Sequence, residues 1–287
     1  MPSTVNTNLV SLNSQRNLGM SQSSLSTAMQ RLSSGLRVNS AKDDAAGLAI
    51  SERMGAQVRG MNVAVRNAND AISLTQTAEG AMAKVGDSLQ RMRELAVQAR
   101  NATNSDSDKD SLDKEFGELA KEIQRVIGGT TFNGKHIIGS DADTQTFQIG
   151  ANTSSDDTID LVTTNMGSAA DLTAVAGTDN TGAARAVIDS TTDSTSLATV
   201  IDNIDTAIDF VNGERATMGA AQNRFDAVIS NLQVSVENQS AARSRITDAD
   251  FATETANLSR AQILQQAGNA MVAQANQLPQ QVLRLLQ

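Results

Sequence analysis

The chain has 287 residues, and its 32 acidic and 23 basic side chains give a formal net charge of −9. It contains no Cys, Trp or Tyr, and only two Pro. The lack of cysteine excludes disulfides and thiolate metal sites, and the acidic balance argues against a nucleic-acid partner. A core made of Ala, Leu, Ile, Val and Met, with almost no proline, predicts a mainly α protein.

No stretch of the sequence is apolar over the length needed to cross a bilayer, so we expect no membrane partner. The start, MPSTVNTNLV, lacks the basic and apolar parts of a cleaved secretory signal. If the protein is exported, the sequence predicts a route that needs no such signal.

The two ends of the chain differ from its body in charge. Residues 1–42 and 255–287 contain no acidic residue, so all 32 acidic residues lie between them. The last twelve residues, NQLPQQVLRLLQ, also hold five large apolar side chains. We therefore predict one discontinuous terminal domain, 1–42 plus 252–287, and a central domain, 43–251, with no sizeable outer domain.

The N-terminal segment has a heptad pattern in which large and small side chains alternate. Its large row is Leu18, Leu25 and Leu32, and its small row is Ser21, Ala28 and Gly35. Such layers allow close approach of a second helix, because large side chains fill the space over small ones.

The first half then continues with two further helical patterns, within residues 43–128. One run of apolar residues at heptad spacing extends from Ile50 to Ala99 with one phase slip, and a second extends from Leu112 to Val126. The polar segment NATNSDSDKDS separates them and places acids at a helix N-terminus, where the helix dipole favours negative charge. We predict two long helices joined by a turn.

Residues 129–194 have a different composition, rich in Gly, Thr, Ser and Asp. TTFNGKHII places Asn133-Gly134 between β-prone residues, which predicts a two-residue hairpin. TFQIGAN and DTIDLVT predict two more short strands, and DSTTDSTS predicts an exposed loop.

The most regular heptad pattern runs from Leu197 to Val236. Ten of its twelve inward positions are apolar, and Arg215 and Gln222 are the exceptions. A sustained pattern of this kind predicts a coiled-coil helix, which we place at about 195–245. The fold expected is a long antiparallel helical rod with a small β-hairpin region.

The C-terminal segment again has a small row and a large row. The small row is Ala261, Gly268, Ala275 and Val282, and the large row is Leu264, Met271, Leu278 and Leu285. We predict that this helix pairs antiparallel with the N-terminal one. A two-helix pair alone is marginal, so we expect both ends to be completed by other copies of the chain.

Several motifs resemble those of bacterial flagellin, over about residues 1–163 and 195–287. They are QRLSSGLRVNSAKDDAAG at 30–47, LQRMRELAVQA at 89–99, FNGK at 132–135, ARSRITDADFATE at 242–254 and ANQLPQQVLRLL at 275–286. The resemblance implies a homopolymeric flagellar filament, with the termini as its inner core and the central helices around them. Only residues 164–194 are left over, which implies little or no outer variable domain.

The resemblance also implies partners and a location. It implies export through the flagellar secretion channel, a chaperone on the C-terminal tail, and assembly beside filament cap and hook–filament junction proteins into an extracellular filament. Family members recognised by the Toll-like receptor for flagellin share three residues that match Arg91, Leu95 and Glu115. Arg91 and Leu95 lie four apart, so we expect them to share one helix face.

The chemical alternatives are weaker, and we predict neither an enzyme nor a cofactor. NSDSDKDSLDKE resembles a calcium loop, but Lys109 stands where glycine is needed, so a polar turn and helix cap is favoured. His136 alone cannot form a zinc site or a catalytic triad. A hook–filament junction protein would match the central motifs less fully, and a coiled-coil receptor needs a membrane span. The sequence leaves open whether residues 140–196 carry O-glycans.

Overall fold

The computed structural model describes the backbone of residues 7–285 and the side chains of residues 7–277. Within that part of the chain, the helices are α1 Leu9–Ser34, α2 Ala45–Ala99, α3 Asp106–Gly129, α4 Ala170–Ala176, α5 Ser194–Thr247 and α6 Phe251–Leu285. The strands are β1 Thr131–Phe132, β2 Lys135–His136, β3 Thr144–Gln148 and β4 Thr158–Val162. The predicted mainly α fold with a small β region is confirmed.

The chain forms two compact units. Unit 1 contains residues 1–56 and 237–287, and unit 2 contains residues 57–236. Both boundaries fall inside the long helices α2 and α5, whereas the sequence suggested boundaries at 42 and 252. A continuous helix gives no sequence signal where it stops packing in one unit and starts packing in the next.

The core of unit 2 follows the heptad pattern of its three long helices. In α5 every predicted inward position from Leu197 to Val236 is buried or half-buried. In α2 the predicted run from Ala78 to Ala99 is fully buried, and Phe116 and Ile123 of α3 pack into the same cluster. The period of the apolar residues therefore identified the buried helix faces.

The two polar exceptions in the α5 pattern meet a single carboxylate of α2. Gln222 Nε2 donates to Glu79 Oε2 at 3.1 Å, and the guanidinium of Arg215 lies 3.9 Å from Glu79 Oε1. A polar group at a heptad position can fix helix register, because a shifted register would leave it unpaired.

The predicted hairpin is present between β1 and β2. Thr131 pairs with His136 and Phe132 with Lys135, while Asn133 and Gly134 have φ values of 51° and 81°. Positive φ at both turn residues matches the right-handed twist of the two strands, and Asn-Gly adopts it readily. The second predicted strand pair is β3–β4, antiparallel, and Phe147 of β3 contacts Phe225 of α5 edge to face.

Residues 164–194 are folded into unit 2. Met166, Leu172, Val175 and Ile188 are all buried in its core cluster, and α4 packs on α3. Sequence analysis missed α4, because seven residues are too few to show a helical period. The segment is therefore part of the core, in agreement with the absence of a separate outer domain.

A half-buried ion pair holds this segment against α3. Arg185 donates to Asp113 through both terminal nitrogens, at 2.8 and 2.6 Å, and the two side chains are 17% and 14% exposed. Asp113 also accepts from the backbone N–H of Ile188. The hydrogen bonds that Arg185 donates to Asp113 raise the pKa of Arg185, so we expect both side chains to be charged and paired.

We predict that Arg185→Ala lowers the free energy of unfolding of unit 2 by about 2–4 kcal/mol, since it leaves a shielded carboxylate without its partner. Chemical denaturation followed by circular dichroism measures this, and amide exchange should rise in residues 177–193. The matched control is Arg125→Ala, which removes an exposed pair with Glu122 and should have little effect on stability, because solvent screens exposed pairs. Equal effects of the two substitutions would contradict the prediction.

Candidate assembly surface on the terminal helices

Helix α1 has well-defined ends. The side chain of Asn8 accepts from the N–H of Ser11 at the N-terminus, which satisfies one of the free donors of the first turn. At the C-terminus Gly35 has a φ of 72° and donates to the carbonyl of Arg31. Glycine suits this left-handed position because it has no Cβ to clash.

Helices α1 and α6 pack against each other in the antiparallel arrangement that the sequence predicted. Near one end, Asn8 Nδ2 donates to the carbonyl of Ala275 at 2.7 Å, and Ser11 Oγ donates to Asn276 Oδ1 at 2.7 Å. Near the other end, Arg31 lies 4.0 Å from Glu254. Residue numbers rise along α1 while they fall along the adjacent part of α6, so the two helices are antiparallel.

The contact face of α1 is the predicted one. Leu18, Leu25 and Leu32 are half-buried, Ala28 is 2% exposed, and Gly35 ends the helix on the same face. On α6 the small row also faces inward, since Ala261 and Ala275 are buried and Gly268 is half-buried. A Cβ placed on Gly268 would lie 3.1 Å from Leu18 Cδ1, so glycine allows the leucine to pack directly on the helix backbone.

The large row of α6 does not lie in this contact. Leu264 is 50% exposed and Met271 is 57% exposed. The inward row beside the small one contains Leu258, Gln265 and Val272, which are half-buried. The prediction that the large row faces α1 was wrong. Polar Gln265 interrupts the row that does face α1, so the sequence pattern favoured the uninterrupted apolar row of Leu264 and Met271, which faces outward.

The remaining predicted core positions of α6, Leu278, Val282 and Leu285, lie outside the described side chains. The helix backbone continues through them to Leu285.

The contact between α1 and α6 thus combines half-buried leucines with small and polar residues, and many further large apolar side chains point away from it. Ten of the exposed large apolar residues belong to unit 1: Leu9, Val10, Leu12, Met20, Met29, Ile50, Phe251, Ile263, Leu264 and Met271. In unit 2 the corresponding residues are all valines: Val63, Val97, Val162, Val187 and Val234. An exposed apolar surface of this extent marks an interaction site.

A groove of about 730 Å³ runs beside the helix pair on this surface. Met20 and Leu264 line it, together with Arg31, Glu254, Arg260 and several Ser, Thr and Asn side chains. Protein–protein contact sites combine apolar positions with polar and charged ones in this way. We call the outward apolar face of α1 and α6, including this groove, the assembly surface.

Two of the motifs named above, at 30–47 and 242–254, meet where α1 ends and α6 begins. Leu36 forms a β-bridge with Asp248, and the guanidinium of Arg37 donates to the carbonyl of Ile246 at 2.7 Å. Asp248 accepts from Ser244 and Thr247, and these hydrogen bonds lower its pKa. This joint was not predicted from the sequence, where Gly35 and the polar segment 247–250 are the signals that mark it.

The three residues that the resemblance implies for immune recognition, Arg91, Leu95 and Glu115, lie in unit 2. Not all of them are at the surface. Arg91 Nε donates to Glu115 Oε1 at 2.8 Å, and Arg91 NH1 donates to Glu94 Oε2 at 2.8 Å. The hydrogen bond with Glu115, followed by that with Glu94, raises the pKa of Arg91. Leu95 is 0% exposed, so of the three residues only Arg91 and Glu115 have side chains at the surface.

The physical reason is the position of these residues on α2. Leu95 lies in the buried heptad row, while Arg91 precedes the buried Met92 and lies at the edge of that row. Residues four apart are neighbours along a helix, but the boundary between core and solvent can pass between them.

The residues of the calcium-like segment and His136 have structural positions in unit 2. Ser105 and Asp108 of the calcium-like segment form a capping box at the start of α3, and the hydrogen bonds with Ser105 lower the pKa of Asp108. His136 is the last residue of β2. Among the described residues, we find no group of three or more side chains arranged to hold a metal, and no helix able to cross a membrane.

Paired terminal helices with an unsatisfied apolar face are typical of a structural subunit that assembles with others. The bacterial flagellin N-terminal helical region matches residues 5–143, and the bacterial flagellin C-terminal helical region matches residues 201–286. The chain therefore belongs to the bacterial flagellin family, and it is a structural subunit of the flagellar filament.

Individual relatives agree over nearly the whole chain. A flagellin of Halalkalibacterium halodurans is 46% identical over 282 residues, covering 98% of this chain and 99% of the relative. A flagellin of Bacillus subtilis is 41% identical over 303 residues, with coverage of 98% and 99%. A putative flagellar hook-associated protein from Vibrio parahaemolyticus shares the fold alone, with a TM-score of 0.61 and 13% identity over 72% of this chain and 100% of that one.

We predict that Gly268→Leu weakens the pairing of α1 and α6 by about 1–3 kcal/mol, because the new side chain would meet Leu18. Faster amide exchange in residues 9–34 would report the loss. Gly19→Ala is the matched control: a Cβ there has no neighbour within 4 Å, and alanine favours the helix by about 1 kcal/mol. If Gly268→Leu leaves exchange in α1 unchanged, the proposed packing is incorrect.

Proposed function

We propose that the assembly surface packs against copies of the same chain and forms the inner core of the filament. The observation that carries this proposal is the outward position of the large apolar side chains on both terminal helices. The family supplies the occupant, since a filament subunit binds other copies of itself. Residues Leu264 and Met271 then act between subunits, while Leu18 and Gly268 act within one.

Charge supports a homotypic partner. Helix α1 contains no acidic residue, and α6 has Glu254 as its only one among residues 251–285. Glu254 is close to Arg31 and only 7% exposed. Terminal helices with little charge can pack against their own copies at close distance without strong like-charge repulsion.

We also infer three further partners that would contact the terminal helices: an export chaperone, a filament cap and a hook–filament junction protein. We infer that an export chaperone covers the apolar C-terminal tail before assembly, since an uncovered assembly surface would associate too early. Outside the cell, a filament cap and a hook–filament junction protein would offer matching terminal helices at the two ends of the polymer. The subunit then functions in an extracellular filament for motility.

We predict that chains lacking residues 1–20 or 270–287 remain soluble and keep a folded unit 2, but do not polymerise. Each deletion removes part of the assembly surface and leaves the core cluster of unit 2 untouched. Sedimentation and electron microscopy measure assembly, and circular dichroism verifies the fold. Filaments of normal length from either truncated chain would disprove the role of the termini.

A point substitution tests the same surface without deleting chain. Leu264→Glu places a charge at a half-exposed position, so it should spare the monomer and prevent burial of this side chain between subunits. Val162→Glu is the control, because Val162 of unit 2 is similarly exposed at 56%. We expect the control to polymerise; if both variants assemble equally well, Leu264 lies outside the interface.

We further propose that the monomer is recognised by the Toll-like receptor for flagellin through the Arg91–Glu115 pair. Both side chains are about half-exposed, at 49% and 47%, and they connect α2 to α3. Leu95 has a supporting role in this proposal, because it is buried beneath the pair and holds the helix in place.

We predict that Arg91→Ala reduces receptor signalling by the monomer about tenfold or more, as expected for loss of a charged contact residue at an interface. A reporter-cell dose response measures this. Lys84→Ala, which removes an exposed pair with Asp87 on the same helix, should leave the response unchanged. An unaltered response for Arg91→Ala would exclude Arg91 from recognition.

A further inference from the structure

The methionines of the chain divide sharply by exposure and by location. Met20, Met29 and Met271 are 58%, 57% and 57% exposed, and all three lie on α1 or α6. The methionines buried in the structure are Met61, Met82, Met92, Met166 and Met218, all in unit 2. Met54 is half-buried, and Met1 lies outside the described residues. Among the described residues, the methionines exposed to solvent therefore all lie on the terminal helices.

The exposure of a methionine determines how readily its sulfur reacts with a peroxide. The thioether sulfur attacks one peroxide oxygen, the O–O bond breaks, and the products are methionine sulfoxide and water. The sulfur is oxidised by two electrons, and the peroxide is reduced. A flexible apolar side chain becomes a polar one, and methionine sulfoxide reductases reverse the change.

We propose that Met20, Met29 and Met271 are oxidation sites through which peroxides control assembly of the unassembled subunit. The inference rests on the proposed function, because it requires these side chains to be buried between subunits after polymerisation. A sulfoxide oxygen buried there without a donor carries an unmet hydrogen-bonding requirement. The same reaction leaves unit 2 intact, since its methionines are shielded.

The position of Met20 shows how one sulfoxide acts on this surface. Met20 lines the groove beside α1 and α6 together with Leu264. A polar oxygen in place of the thioether makes this part of the groove less favourable for the apolar side chains of a second subunit. Oxidation also leaves the α1–α6 contact itself in place, because the inward rows include Leu18 and Gly268 and none of the three exposed methionines.

The test treats full-length monomer with dilute hydrogen peroxide, maps the sulfoxides by peptide mass spectrometry and measures the critical concentration for polymerisation by sedimentation. We expect sulfoxide at the three exposed methionines, low modification of the five buried ones, and a critical concentration raised about tenfold or more. Methionine sulfoxide reductases A and B should restore polymerisation. Preformed filaments treated in the same way should resist modification at the three sites.

Two variants assign the effect to particular side chains. M20L/M29L/M271L keeps the apolar character of the exposed positions but has no sulfur to oxidise. Its critical concentration is measured first without peroxide, and peroxide should then leave that value unchanged. M166L removes a buried methionine and should remain as sensitive as the wild type. The inference is overturned if peroxide-treated wild type assembles normally despite complete sulfoxide at the three sites, or if the triple variant is equally inhibited. Untreated wild type that fails to polymerise would instead overturn the proposed function.

Discussion

The contact between α1 and α6 is the interaction on which the function of this chain depends. Its inward rows contain Ala, Gly, Ser and Gln as well as Leu, and Gly268 lets Leu18 rest on the helix backbone. A contact of small residues buries little apolar area, so it stabilises the pair only modestly. The large apolar side chains lie outward, and their burial becomes available only when another molecule covers them.

Unit 2 shows the opposite use of the same heptad spacing. There the large residues, such as Met82, Leu89 and Phe116, face inward and are fully buried within the chain. Its exposed apolar residues are valines, and residues 164–194 close the core through α4 and the Arg185–Asp113 pair. One chain thus combines a unit that buries its own large apolar side chains with a unit that leaves many of them exposed. Under the proposed function, other copies of the chain cover these side chains in the filament.

Two ion pairs of unit 2 differ in how far they are shielded from solvent. Arg185–Asp113 is shielded and holds a segment in place, whereas Arg91–Glu115 is half-exposed on the same unit and accessible to a partner. Shielding raises the cost of losing one member of a pair, because the remaining charge cannot be solvated. Exposure does the reverse, because solvent can stabilise the charge that remains after one member of the pair is lost.

The sequence by itself determined the helices, the hairpin at Asn133-Gly134, the buried face of α5 and the antiparallel pairing of the ends. These features depend on local periodicity and turn chemistry, which a sequence displays directly. Only the tertiary structure decided that Leu264 and Met271 point outward, that Leu95 is buried and that α4 belongs to the core. Each of these depends on which side of a helix meets a neighbour. An amphipathic pattern with apolar residues on two faces does not specify that side, because both faces satisfy the same spacing until a partner occupies one of them.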